Sequence, residues 1–155
     1  MSRFTDCLEK RLLRKDKPDK QKALTALEIA EQRLMDANLS MGSEIYSATI
    51  LLSYASMFHA SRALLFRDGY TEKSHYCLIE FVKEKYIQKG LINSKFSFLL
   101  NNAREERHEV LYGLQRTETK EDAEQILKNA KEYLQEIKKI LQEKKSQKNN
   151  PEKSS

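Results

Sequence analysis

Arg107 occupies a position where an apolar residue belongs. With Phe96 set at zero and a turn of roughly 100° per residue, Leu99, Leu100, Ala103, Val110, Leu111 and Leu114 fall within roughly 60° of it. Arg107 falls at about 20°, inside that stripe. A guanidinium there must reach a buried acceptor, snorkel to the edge, or face a cavity or a partner. One reading is an ion pair with a carboxylate inside the fold. The other is a site, because buried cations collect where anions are handled. Arg107 could stabilise charge growing on a phosphate, but moving a proton needs a different group, a His near neutral pH or, less well, a Tyr. The nearby candidates are His108 and Tyr112, with Arg104 a further cation on the same helix. Tyr112 lies about 140° round from Arg107, so they share a pocket only if the helix frays at Gly113 or a second chain contributes its copy. His108 and Glu109 lie off the stripe and read as solvent-facing. His75, close to Lys73 and just after Ser74, falls in the first turn of a predicted helix, where free backbone N–H groups favour anions. His59 lies in a long uncharged stretch and reads as a satisfied core histidine.

These residues need rigid elements behind them, and the composition says which kind. The 155 residues suit one domain. Four Gly and two Pro make up about 4% of the chain, against roughly 12% in an average protein, too few turn-formers for a sandwich, barrel or doubly wound sheet. Only Val82 and Val110 represent valine, and no long run alternates apolar with polar. With 33% charged residues and 39% hydrophobic ones, the sequence points to an all-α bundle of about five to six antiparallel helices around a real core.

The predicted elements follow from caps and periodicity. A first helix from Ser2 to about Lys15 stops before Pro18, giving a basic N-terminal helix over 1–18. Asp19 caps a second helix to about Asn38. Gly42 or Ser43 opens a third, which runs to Phe66 and is apolar nearly all round, as suits the helix on which the others pack. Ser74 caps a fourth helix that ends at Gly90, and a fifth runs from about Ser94 to Tyr112. The sixth begins near Thr119, and its stripe (Ala123, Leu127, Ala130, Leu134, Ile137, Leu141) steps like a coiled-coil seam, suited to the bundle or to a second copy. The bundle thus covers 19–143, and 144–155 reads as a disordered basic tail.

Cys7 and Cys77 sit far apart without metal-ligand spacing, which reads as free thiols in a reducing cytosol. The N-terminus has no apolar signal-like run, and the uncharged segment from Ile45 to Ser61 is at the short limit for a membrane span, so a cytoplasmic, membrane-free protein is expected. The net charge of +5 is concentrated at the ends: 1–22 holds eight Lys/Arg against four Asp/Glu, and 138–155 holds six against two. No phosphate loop, glycine-rich fingerprint or paired-carboxylate motif occurs, so neither cofactor nor metal is implied.

Three segments, YASMFHASRALLF, GYTEKSHYCLIE and RHEVLYG, together resemble the HEPN domain (higher eukaryotes and prokaryotes nucleotide-binding) over about residues 20–142. They are most similar to its small stand-alone archaeal and bacterial members. The resemblance implies an up-and-down bundle of four to five helices, usually a homodimer. It also implies a small nucleotidyltransferase partner, in a toxin–antitoxin pair that handles nucleotide or RNA. In ribonuclease members an Arg is followed four to six residues later by a His, and the two act together across the dimer without a metal. Arg107 matches that Arg, but no His occupies the following window. The stand-alone group commonly ends the motif in Asp-Tyr; Tyr112 matches and Leu111 replaces the Asp. Three readings follow. The first is a HEPN binding module for a nucleotidyltransferase, nucleotide or RNA, with Arg107, Arg104, His75 and Lys73 as ligand contacts. The second is an RNA-cleaving toxin using Arg107 with His108, His75 or Tyr112. The third is a structural adaptor in which Arg107 is merely ion-paired. The incomplete acid–base pair points to binding rather than catalysis.

Overall fold

A computed structural model describes residues 2–114 and 118–148. Its elements run α1 (Arg3–Glu9), β1 (Leu13–Lys15), α2 (Lys20–Gly42), α3 (Tyr46–Arg67), β2 (Tyr70–Glu72), α4 (His75–Val82), a π-helical turn (Lys83–Ile87), α5 (Phe96–Tyr112) and α6 (Lys120–Lys148). The chain is a mostly helical bundle with one tiny two-stranded sheet. No described helix is long and apolar enough to cross a membrane.

The uncharged stretch becomes α3, the axis of the bundle, with Ile50, Met57, Ala60, Ala63, Leu64 and Leu65 essentially out of solvent. Small side chains let its neighbours come close. Ala23, Ala26, Ala30 and Ala37 form the buried face of α2, and the Ser56 hydroxyl donates to the Ala30 carbonyl at 2.8 Å. On the other side Ser61 and the fully buried Tyr133 of α6 share a 2.6 Å hydrogen bond. The α6 stripe therefore packs inside the same bundle: Ala123, Leu127, Ala130, Leu134 and Ile137 are all buried, together with Ile126 and Tyr133. It is not a seam left open for a second copy.

Several predicted boundaries move, two of them for one shared reason. The first helix ends at Glu9, not near Lys15. Arg11 turns left-handed at φ 57°, the Arg11 N–H donates to the Leu8 carbonyl and the Leu12 N–H to the Cys7 carbonyl, and the chain leaves as strand β1. The same closure ends α2 at Gly42, later than the predicted Asn38, with Glu44 at φ 59° and the Ile45 N–H on the Ser40 carbonyl. Glycine usually occupies this left-handed position, and neither turn has one there. The strands were not expected at all. β1 pairs antiparallel with β2, Leu13 opposite Glu72 and Lys15 opposite Tyr70. Gly69, at φ 83°, makes this approach possible, since a Cβ there would lie 2.7 Å from the Asp16 carbonyl oxygen. The predicted fourth helix is α-helical only to Val82 and then widens into the π-helical turn. α6 continues to Lys148, beyond the predicted start of the tail at 144; residues 149–155 lie outside the described residues.

Cys7 and Cys77 are joined in a disulfide. This corrects the expectation of free thiols: α1 packs on α4 and brings the two Cα atoms to 5.8 Å, a proximity invisible in a separation of 70 residues.

Candidate functional site

The candidate site lies on the face where α3, α4 and α5 meet. Ser74 caps α4 by accepting from the Cys77 N–H at 3.2 Å, which fixes the backbone that presents His75. The His75 ring lies against Phe58 of α3, centroids 4.3 Å apart and planes 18° apart. Its Nδ1 is 2.7 Å from the hydroxyl of Tyr54, one turn earlier on α3. Tyr54 and Phe58 themselves stack at 6.2 Å, so two aromatic rings and an imidazole form one platform.

Arg107 reaches this platform from α5, its guanidinium carbon 5.7 Å from the centre of the Tyr54 ring. Arg104, one turn earlier, sits 5.7 Å over Tyr76 of α4. Both are half-buried. Among the described residues no carboxylate forms an ion pair with either, and the Arg104 Nε is buried without a hydrogen-bond partner. A cleft of about 610 Å³ opens here, lined by His75, Asn102 and residues 104–109. Asn102 donates to Glu106 at 3.1 Å, while Glu105 and Glu109 are exposed.

The cationic surroundings show in the titrating groups. Burial, then Arg107, Arg104 and Arg62, push the His75 pKa below the usual histidine value, so the ring is neutral at pH 7. Burial pushes the Tyr54 pKa up to about 12 against the opposing pull of Arg107 and Arg104, which keeps its hydroxyl protonated. Behind the platform, His59 is lowered to about 4 by burial, Arg62, Arg33 and His75. Arg62 pairs with Glu72 at 2.9 Å and lies over Phe58 and Phe66. Among the described residues no group of three or more His, Cys, Asp or Glu side chains is placed to hold a metal ion.

The cleft gathers Arg107, Arg104, His75 and, on its outer rim, the exposed His108. It does not gather Tyr112, which is 65% exposed, its ring centroid 4.9 Å from that of His108. Lys73 is exposed and does not line the cleft, its N–H donating to the Leu12 carbonyl as an extension of the sheet. His75 is half-buried, and the half-buried His59 has a buried Nδ1 without a partner among the described residues, unlike the satisfied core histidine expected. The apolar stripe of α5 is sealed only at Phe96, Leu100 and Ala103. Leu111 and Leu114 are 44% and 98% exposed because the last turn leaves the core, which puts Arg107 at its margin. Tyr54, Phe58 and Asn102 escaped the sequence reading. The spacing of Tyr54, Phe58 and Arg62 by four on one face of α3 was the available signal.

Residues 23–141 match the HEPN domain. The chain belongs to the HEPN family. A protein of Methanocaldococcus jannaschii named "Putative toxin MJ0605" is 28% identical over 134 residues, covering 86% of this chain and 98% of the relative. A UPF0332 protein of Archaeoglobus fulgidus is 31% identical over 109 residues, covering 70% of this chain and 86% of its own length. The matched HEPN region contains the entire platform and both arginines and begins after α1 and β1.

Proposed function

We propose that this HEPN protein is the toxin-type member of a two-protein system, a homodimer that pairs with a nucleotidyltransferase and binds RNA by its phosphates in the α3–α4–α5 cleft. The observation that carries this reading is Arg107, half-buried over the Tyr54 ring without a carboxylate partner among the described residues. Two guanidiniums three residues apart repel each other, and an entering phosphate relieves that repulsion with charge-assisted hydrogen bonds. Phe58 and His75 offer ring surface beside them, which suits a nucleotide better than a simple anion. The name of the Methanocaldococcus relative supports the toxin assignment. Fluorescence anisotropy with single-stranded RNA tests the cleft. Binding should weaken about 10- to 100-fold in Arg107→Ala, the range for a lost charged hydrogen bond. Equal affinity in the two proteins would refute it. Co-purification of tagged protein from its host, with no nucleotidyltransferase in the eluate, would refute the pairing.

A second reading, metal-independent RNA cleavage, is favoured by the neutral His75 held at 2.7 Å by Tyr54 in the cleft of Arg107. Such an imidazole can accept the 2′-hydroxyl proton while Arg107 stabilises the phosphorane-like charge. Incubation with RNA across pH 6–9 decides: equally intact RNA with wild type and Arg107→Ala excludes cleavage and leaves binding.

A further inference from the structure

Residues 2–16 lie outside the matched HEPN region, yet they are attached to the cleft's edge in three independent ways. Covalently, Cys7 is bonded to Cys77, two residues beyond His75 in the first turn of α4. Through the backbone, β1 pairs with β2 along its whole length, and the ladder is prolonged by the Lys73 N–H on the Leu12 carbonyl at 3.0 Å and the Asp16 N–H on the Gly69 carbonyl at 2.8 Å. Through packing, Phe4 and Leu13 are buried, Phe4 against Tyr70 and Phe81. All three converge on residues 70–77, the segment that leads from the Glu72–Arg62 ion pair into His75.

We propose that this N-terminal arm is a thiol-controlled clamp on the cleft. With Cys7 and Cys77 joined, α1 and β1 hold β2 and the start of α4 where His75 faces the arginines; with both reduced, that edge loosens and the ligand is held less well. The ligand part of this inference rests on the RNA-binding reading above. A dithiol reductant drives the step. One of its thiolates attacks a cysteine sulfur and forms a mixed disulfide; the second displaces the remaining cysteine, leaving the reductant as a cyclic disulfide and two protonated thiols on the protein. Both cysteines are buried, at 3% and 1% exposure, so exchange requires α1 to lift first. A seven-residue helix has little stability of its own, and local opening of such an element lies well below global unfolding in free energy.

Amide hydrogen exchange of the full chain, oxidised and dithiothreitol-reduced, tests the clamp without any ligand. Exchange over residues 70–79 should quicken about tenfold or more on reduction while the centre of α3 stays protected. In parallel, affinity for a fluorescein-labelled single-stranded RNA should fall at least about fivefold on reduction and return on reoxidation, in the range of local ordering costs at binding sites. The C7S/C77S protein should behave as reduced in every buffer; C7A/C77V, which keeps the site apolar, serves if the serines prevent folding. Unchanged exchange on reduction overturns the proposal, and so does acceleration spread evenly over α3 and α6, which would make the disulfide a fold-wide staple. If exchange quickens locally but the oxidised protein binds no RNA, the ligand reading fails and the clamp on His75 stands.

Discussion

Two arginines in different parts of the bundle, each beside a tyrosine, teach different things. Arg67 ends α3 with its Nε 3.3 Å from Asp68 and an Nη donating to the Tyr86 hydroxyl at 2.6 Å, and that hydroxyl in turn donates to the Asp68 carboxylate. Charge, counter-charge and phenol close on one another, and the π-helical turn that carries Tyr86 brings the phenol there. Burial and the neighbouring carboxylate push Tyr86 well above its ordinary pKa, as befits a hydroxyl kept as a donor. Arg107 also has a tyrosine and glutamates at hand, but its tyrosine offers a ring face and no carboxylate among the described residues forms an ion pair with it. A cluster that supplies its own anion is closed on itself; one whose guanidiniums pair with no carboxylate among the described residues can take an anion from outside.

The contrast can be broken at either end. Arg67→Met removes the cation from a mostly buried pair and should cost about 3 kcal/mol of stability by chemical denaturation, because Asp68 is left unpaired. RNA affinity of the folded fraction should not change. Tyr54→Phe has a smaller effect, about 1 kcal/mol for the lost hydrogen bond to His75, with a visible change in the His75 ring resonances.

The smallest effect is that of pH. His59 and His75 have folded-state values below the ordinary 6.5. The unfolded chain therefore takes up protons first as the pH falls. Stability is full above about 6.5 and declines toward pH 4, and His59→Gln should flatten that decline. Bound RNA places negative charge near His75 and should raise its pKa in an NMR titration, whereas Arg67→Met should leave it in place.

The helical class and the central uncharged helix were legible because apolar periodicity and the scarcity of Gly and Pro act locally along the chain, whereas the same periodicity placed Arg107 inside a stripe that the structure leaves open at its C-terminal end. The sheet was not legible, since β1 has three residues and exists only because Arg11 turns left-handed without a glycine to announce it. The disulfide and the Tyr54–His75 pair were hidden for a different reason: each joins elements far apart in sequence, and only packing brings them together. Lys73 and Tyr112 lie near candidate residues in sequence, and neither lines the cleft.

Arg107→Met, measured once for thermal midpoint and once for affinity to single-stranded RNA, tests most directly whether this guanidinium waits for an external anion. The expected result is a midpoint unchanged or slightly higher, because no ion pair among the described residues is lost and repulsion with Arg104 is relieved, together with at least about a tenfold loss of RNA affinity. A midpoint several degrees lower with RNA affinity unaltered would contradict it and place Arg107 with Arg67 among the structural cations.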